Sequence, residues 1–296
     1  MIWPDGRGGP MHVSGRSRDI RTLVAKEAPD LLDVAAVEAR LSPDRHLLSL
    51  DLDGAPGRFA DWTGMAIVGK FRAALRARYP MDLRQSGEYL LLDDIPGATF
   101  ISNWAWHCWE PDKAAADRTS RKMEGVCIGL ARGSPALDQN GMPNVRRQSS
   151  AWVEDLANAL DPAAIHDLPQ WGAVPAARRA RWIDVWRDAA DIVVESGYQD
   201  SAAAPDRRRR AVHEYRLQAR IAPDGVLRDI RVTPLVLPYS SCPAAAAKAR
   251  ALIGTPIAAL RETVPTTLAK EAGCTHLNDV LRALAAVPLL ASRINA

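Results

Sequence analysis

The sequence predicts an α+β fold built from two tandem degenerate repeats, each an antiparallel β-meander followed by helices packed on one face. The first observation is an internal likeness between residues 37–53 (VEARLSPDRHLLSLDLD) and residues 217–233 (LQARIAPDGVLRDIRVT). Both segments alternate apolar and polar residues around a Pro-Asp turn, which is typical of a β-hairpin. The second observation is an amphipathic helical pattern after each hairpin, at 63–75 and 253–264. Strands followed by helices favour an antiparallel sheet with helices on one face.

A third pair of segments extends the repeat and sets the domain boundaries. YLLLDDIPGA at 89–98 and CTHLNDVLRA at 274–283 share the skeleton Leu-Asp-Asp-Ile over Leu-Asn-Asp-Val. We therefore predict an N-terminal unit over 16–109 and a C-terminal unit over 179–296, which opens with two strands within 181–198. Residues 110–178 are rich in Pro, Gly and Ala and are predicted to connect the units as an inserted segment. Within it, MEGVCIGLARGS predicts a short strand that buries Cys127.

Composition excludes several classes of partner. The formal net charge is only +3, so the chain offers no strong field to nucleic acid or an acidic membrane. No stretch approaches the roughly twenty apolar residues of a membrane span, and the N-terminus lacks the apolar core of a signal peptide. We expect a cytoplasmic protein with a small-molecule substrate and no nucleic-acid or membrane partner, and leave open whether it forms a homodimer. In the cytoplasm the four cysteines should be free thiols or ligands.

Residues 211–287 resemble the NifU/IscU-type iron–sulfur scaffold family. The likeness lies in the order strand VHEYRLQARI, turn APDG, strand VLRDIRVTPLVL, then SCPAAAAKARALIG and GCTHLNDVLRAL. It implies a NifU/SufE-like fold in which Cys242 takes the place of the middle cysteine, Cys274 that of the last, and His213 lies at or near an aspartate ligand. Ala211 stands where that family has its first cysteine, so this chain departs from the pattern for cluster assembly.

The segments VHEY, SCPAAAA and CTHLND also resemble a bacterial family known only as a domain of unknown function. The C-terminal Cys-Thr-His-Leu motif carries much of this likeness and begins at Cys274. The resemblance implies no reaction, but it strengthens the choice of these positions.

Three side chains of the C-terminal unit are predicted to converge at one end of its sheet. If the helices pack on the hairpin as in the scaffold fold, His213, Cys242 and Cys274 meet there. Two thiols and an imidazole are suitable ligands for zinc, and iron is the other metal that we expect. Cys274 also opens a helix, whose free backbone N–H groups favour a thiolate, so it is the candidate reactive thiol.

Catalysis without a metal is a second interpretation of the same region. Cys274, His276 and His213 then carry the chemistry, with Glu214 and Asp279 as proton carriers. With a metal, His276 is instead a fourth ligand or a general base. A plainer alternative is that the cysteines only pack as small apolar residues.

A tryptophan-rich segment suits a flat apolar ligand. Trp104 and Trp106 lie close together in the N-terminal unit, and we expect them to line a substrate pocket with Tyr215. The N-terminal unit has Asp33 in place of His213 and Tyr89 in place of Cys274, so it lacks the Cys/His constellation. Its expected role is therefore to wall the pocket.

These observations predict an enzyme of lyase or hydrolase type that acts on a hydrophobic, aromatic small molecule at a Cys/His site. Two alternatives remain open. One is a metal-binding or iron–sulfur/sulfur-handling scaffold, and the other is a binding protein without catalysis. No phosphate-binding loop or dinucleotide fingerprint is present, so no nucleotide cofactor is expected.

Overall fold

Antiparallel strands and helices alternate in blocks along the chain. The structure is a computed structural model that describes residues 1–23, 28–116, 122–159, 161–165, 167 and 174–294. Its strands are β1 (Met11–Arg21), β2 (Asp30–Leu41), β3 (Leu47–Leu52), β4 (Ala151–Val153), β5 (Ala176–Asp188), β6 (Asp191–Ala203), β7 (Arg209–Ile221) and β8 (Leu227–Val236). Its α-helices are α1 (Phe71–Arg78), α2 (Gly87–Ile101), α3 (Trp104–Trp109), α4 (Pro111–Ala116), α5 (Ala244–Lys248), α6 (Leu260–Thr267), α7 (Thr275–Ala283) and α8 (Val287–Ser292). The predicted α+β class with antiparallel sheets is confirmed. Among the residues described, no helix combines the length and the apolarity that a membrane span requires.

The strands form two antiparallel sheets that meet at the N-terminus. The first has the order β1-β2-β3, and the second the order β4-β7-β6-β5, with β8 also paired to β7. Ile2 forms bridges to both His12 and Ala176, and the Met1 ammonium donates to the Ala177 carbonyl at 3.0 Å. The first two residues thereby join the edge of one sheet to the edge of the other.

Each sheet packs its helices against one face. One apolar core lies between β1–β3 and the helices α1–α3, and a second lies between β6–β8 and the helices α5–α8. Ala177, Ala202 and Val212 belong to the first core although their strands are in the second sheet. The N-terminal helices therefore also cover one end of the second sheet.

Strand parity decides which polar residues of the second sheet become buried. Successive side chains of a strand point to opposite faces, and in β6 Tyr198 and Asp200 share the helix-facing side with Val194. Arg179 and Arg181 of β5 lie directly opposite Asp200 and Tyr198, so they share that side. The sheet thus brings charged and aromatic side chains beneath the helices at one end.

Both predicted hairpins are present, as β2–β3 and β7–β8. Each hairpin is followed by a turn whose backbone bonds return to the start of its second strand and to its own tight turn. After the first hairpin, Gly64 N donates to Leu47 O at 2.7 Å and Ile67 N donates to Arg45 O at 3.0 Å. After the second hairpin, Gly254 N donates to Leu227 O at 2.9 Å and Ile257 N donates to Gly225 O at 2.9 Å. The two units therefore build the step from hairpin to helix in the same way.

The predicted strand around Cys127 is wrong. Within the described residues 122–134 the chain makes turns and one short 3-10 helix, Ile128–Leu130. Gly125 and Gly133 have positive φ values of 79° and 78°, which interrupt an extended run on either side. The Ile128 amide donates to the carbonyl of Gly273, which lies just before α7, at 2.9 Å. Within residues 122–134 this segment therefore contacts the start of a helix and does not pair with a strand.

Candidate functional site

Two stacked imidazoles lie at the centre of the candidate site. His213 projects from the inner face of β7, and His276 lies in the first turn of α7. Their ring centroids are 3.6 Å apart with an interplanar angle of 21°. His213 is 5% exposed and His276 is 9% exposed. Helix and strand therefore bring these two predicted residues into direct contact.

One nitrogen of each ring is buried without a hydrogen-bond partner among the described residues: His213 Nδ1 and His276 Nε2. The carboxylate oxygen Oδ2 of Asp200 lies 3.7 Å from His213 Nδ1, beyond ordinary hydrogen-bond length. Leaving a buried polar atom unpaired costs about 1–3 kcal/mol. Two such atoms side by side therefore call for a functional explanation, such as a ligand, an ion or a proton in transit.

Both imidazoles are neutral at pH 7. Burial lowers the pKa of His213 well below its ordinary value, and the neighbouring His276 lowers it further. Burial also lowers the pKa of His276 to about 3, with a further lowering by the Arg179 guanidinium. A neutral imidazole is the form that accepts a proton or binds a metal.

Acid is expected to destabilise the fold through these histidines. Between the unfolded pKa of 6.5 and the folded pKa of about 3 for His276, the unfolded chain binds more protons, so stability is lost as the pH falls through that window. Each such histidine contributes a slope of up to about 1.4 kcal/mol per pH unit. Urea unfolding of His276→Phe at several pH values should give a shallower dependence of stability on pH than the wild type. Equal slopes in wild type and His276→Phe would contradict the burial of a neutral ring.

Arg179 anchors the carboxylate beside the imidazoles. Its Nε and Nη2 donate to the two oxygens of Asp200 at 2.9 and 3.1 Å, and the Tyr198 hydroxyl donates to Asp200 Oδ2 at 2.7 Å. All three side chains are buried. Asp200 is therefore held as a fixed hydrogen-bond acceptor next to His213.

The same arginine links the two units. Arg179 Nη1 donates to Asp279 Oδ2 of α7 at 2.7 Å and to Asp94 Oδ1 of α2 at 3.3 Å. Gly97 of α2 packs directly on this pair, because a Cβ there would stand 2.1 Å from Asp279 Oδ2. Further ion pairs extend the network: Arg72 with Asp279, and Arg72, Arg261 and Arg282 with Asp93.

Asp279 has a structural role in this network. Burial alone would raise its pKa, but the Arg72 and Arg179 guanidinium groups hold that pKa well below its ordinary value. The carboxylate therefore stays charged at pH 7, which makes it an ion-pair partner of both arginines. Its place beside the imidazoles also favours a positive charge on His276.

Cys274 is a buried thiol. It is the N-cap residue of α7, and its Sγ accepts a hydrogen bond from the Tyr215 hydroxyl at 3.6 Å. Burial raises its pKa, although the Leu277 amide and the Tyr215 hydroxyl act in the opposite direction. The helix start does lower the pKa of the thiol, but burial raises it more. The prediction of a thiolate at Cys274 is therefore wrong.

Cys242 lies beside Cys127. A Cβ at Gly129 would stand 2.5 Å from Cys242 Sγ and 3.8 Å from Cys127 Sγ, so both sulfurs face this glycine. Burial raises the pKa of Cys242 to about 12, with Cys274 and Cys127 adding to the rise. Cys242 therefore lies near Cys274, as a protonated thiol in a small apolar cluster with Tyr239.

The set of potential metal ligands differs from the predicted one. Among the described residues, the three side chains whose ligand atoms lie within 4.8 Å of one another are Asp200, His213 and His276. The predicted set of His213, Cys242 and Cys274 does not form such a group. Only His213 is common to both sets, and the two cysteines are instead packed in apolar clusters.

The remaining predicted residues occupy three different places. Tyr215 is buried beside Cys274, at the inner face of the sheet. Glu214 follows the opposite parity, and its Oε2 accepts a hydrogen bond from Gln199 at 3.1 Å on the outer face, away from the imidazoles. Trp104 and Trp106 are buried in the N-terminal core, where Trp106 packs edge-on against Trp3 at 5.4 Å. Tyr215 alone of these adjoins the imidazole region.

Several residues of the site were not predicted. Arg179 and Asp200 lie just outside the segment 181–198 that was interpreted as the strand pair, and Tyr198 was its last residue. Extending the alternation of β6 by two residues places Asp200 on the same face as Val194 and Tyr198, which is the signal that could have found it. The aromatic neighbour of His276 is Phe100 of α2, with ring centroids 6.1 Å apart.

The fold and the site define an α+β domain with a buried imidazole pair at its junction with a second unit. Residues 177–289 match the sequence model of a family described as protein of unknown function (DUF2889). A DUF2889 domain thus covers this part of the chain, which confirms the likeness to a domain-of-unknown-function family. No curated protein and no solved structure matches the chain. The domain contains Arg179, Asp200, His213 and His276, whereas α2 with Phe100 lies outside it.

Proposed function

We propose that this protein is an enzyme of lyase or hydrolase type that acts on a hydrophobic, aromatic small molecule at the junction of its two units. The observation that carries the proposal is the pair of buried, unpartnered nitrogens on the stacked rings of His213 and His276. Buried groups with strongly shifted pKa values that lack partners are concentrated at catalytic sites.

His276 is the proposed general base. Its unpartnered Nε2 accepts a proton, and the carboxylate of Asp279 nearby favours the resulting positive charge. His213 is the second proton carrier, and Asp200 favours its charged form in the same way. Because Arg179 fixes both carboxylates, neither needs to reorganise when a ring becomes charged.

Cys274 and Tyr215 are proposed as neutral groups of this site. Burial raises the pKa of both, so at pH 7 they offer a thiol and a hydroxyl. Such neutral groups suit a position behind the imidazoles, where they limit water and hold His276 at the start of α7. Phe100 supplies the apolar surface expected for an aromatic substrate, since its ring is 39% exposed beside His276.

We further propose that the two units arose by duplication. The matching backbone bonds after both hairpins support this, as do register shifts at Arg40/Leu41 and at Arg220/Ile221. In this proposal the N-terminal unit has lost the imidazoles and now supplies α2, which covers the site.

Metal binding is the second candidate, favoured by the grouping of Asp200, His213 and His276. The two nitrogens fit zinc or iron. The carboxylate fits less well, because both of its oxygens are already bonded to Arg179 and one also accepts from Tyr198. We therefore derive no step through a metal. Elemental analysis tests this candidate: about one zinc or iron per chain, lost in His276→Ala and kept in Cys242→Ala, would replace the metal-free proposal.

The proposed function is tested by turnover of aromatic probes. Suitable probes are nitrophenyl esters of aromatic acids for hydrolysis, and β-hydroxy-β-arylpropionates for loss of water to an absorbing cinnamate. For a probe that the wild type turns over, His276→Ala should lower kcat/KM by about 10²–10⁴-fold, and His213→Ala should also lower it. The exposed-site control Arg40→Gln should match the wild type. Full activity in both site variants would refute the assignment, and no turnover of any probe would refute the reaction class.

A further inference from the structure

We infer that Arg45 is an anion-binding residue that receives the carboxylate of an aromatic acid, with Phe100 supporting the ring of that acid and directing it toward His276. This inference rests on the proposed function and names the class of its substrate. It assigns a role to the N-terminal unit beyond covering the site.

The Arg45 guanidinium is a partly buried cation that lies over the Phe100 ring and has no carboxylate partner among the described residues. Within the described part of the chain, its side chain forms no hydrogen bond and no ion pair. Burial alone lowers its pKa, with no carboxylate acting in the opposite direction. A partly buried guanidinium with no carboxylate beside it is a suitable partner for an anionic ligand.

Neighbouring carboxylates are already engaged elsewhere. Asp44, the preceding residue, is exposed and pairs with His46 Nδ1 at 3.0 Å, while its other oxygen accepts from the Ser42 hydroxyl. The carboxylates of the buried network are paired with Arg72, Arg179, Arg181, Arg261 and Arg282. The positive charge of Arg45 is therefore available to a ligand.

Arg45 is connected to the imidazoles through an aromatic ring. Its guanidinium carbon lies 5.7 Å from the centroid of Phe100, and the Phe100 ring centroid lies 6.1 Å from that of His276. A ligand with a carboxylate at one end of an aromatic ring can thus meet the cation, the apolar ring and the base in order. Arginine binds carboxylates through two parallel hydrogen bonds, which would also fix the orientation of the ring.

Arg45 occupies a turn position whose backbone conformation favours glycine. Arg45 has a positive φ of 64°, a conformation that glycine adopts more readily than arginine. The corresponding turn of the second hairpin has Gly225 there, with a φ of 83°. The first hairpin therefore has an arginine at a position where glycine would fit the same backbone conformation with less strain.

Calorimetric titration with benzoate tests the inference without requiring turnover. The wild type should bind benzoate, and Arg45→Gln should bind it at least about tenfold more weakly. Arg40→Gln, a neutralisation of an exposed arginine in the same hairpin, should bind like the wild type. Unchanged affinity in Arg45→Gln, or no binding of benzoate by the wild type at millimolar concentration, would overturn the inference. Binding of inorganic phosphate in place of benzoate would overturn the aromatic class.

Arg45→Gly separates a binding role from a structural one. This variant should melt at the same temperature as the wild type or higher, because glycine suits the turn. It should nevertheless fail to bind benzoate. A lower melting temperature with intact binding would show that Arg45 only supports the fold. Benzoate binding through Arg45 together with full turnover in His276→Ala would retain the anion site and remove the proposed catalysis.

Discussion

Replacing Arg179 with methionine is expected to lower the free energy of unfolding by about 3–5 kcal/mol at pH 7, because it leaves the buried Asp200 without its arginine and removes one of the two arginines paired with Asp279. Arg179 bonds both oxygens of Asp200 and also Asp279, and all three side chains are at most 5% exposed. Urea unfolding measures the loss. A matched control is Arg220→Met, which removes an exposed ion pair with Asp188 and should cost much less, because solvent screens this pair.

The pH dependence of the Arg179→Met variant provides a second readout. Without the guanidinium, the lowered pKa of Asp279 should rise, so this carboxylate becomes neutral at higher pH than in the wild type. The difference in stability between wild type and variant should therefore shrink as the pH falls below about 5. A loss within about 1 kcal/mol of the control at pH 7 would contradict the role assigned to Arg179.

Substituting Gly97 with alanine is expected to destabilise the protein by about 2–4 kcal/mol, although alanine favours helices over glycine by about 1 kcal/mol. The added Cβ would lie 2.1 Å from Asp279 Oδ2 and 2.3 Å from Arg179 Nη1. Neither atom can move away cheaply, because each is fixed by further ion pairs. Helix α2 must therefore shift.

Gly8→Ala is the control for the Gly97 variant, since a Cβ at Gly8 meets nothing within 4 Å. It should change the stability by no more than about 0.5 kcal/mol. If Gly97→Ala were more stable than the wild type, helix propensity would outweigh steric overlap at this position. Helix α2 would then not pack closely against the Arg179–Asp279 ion pair. Urea unfolding of the two variants under the same conditions distinguishes these outcomes.

Local patterns of the sequence were sufficient to predict the hairpins and the meeting of two histidines. Alternating residues around Pro-Asp turns depend only on neighbours in the chain, and both hairpins formed as predicted. The likeness to a scaffold fold placed His213 on a strand below a late helix, and His276 was expected beside it. The direct stacking of the two rings was not predicted and depends on how α7 packs on the sheet.

Burial could not be judged from local patterns, and most of the differences follow from that. A helix start lowers the pKa of a thiol, but full burial of Cys274 raises it more, and the sequence does not show how deeply the thiol is buried. Trp104 and Trp106 have the apolar surface of a pocket wall, yet tertiary packing places them in the N-terminal core. Arg179 and Asp200 lie in β5 and β6, each two residues outside the predicted strand pair at 181–198. Their contact therefore forms in a part of the two strands that was not predicted.

His213 and His276 are buried, neutral imidazoles, and each has one nitrogen without a hydrogen-bond partner in the described part of the chain. Imidazole ¹⁵N–¹H spectra recorded between about pH 8 and pH 4 test it most directly, with His213→Phe and His276→Phe used to assign the signals. Both rings should stay neutral well below the ordinary pKa of 6.5. Titration of either ring near pH 6.5 would contradict it.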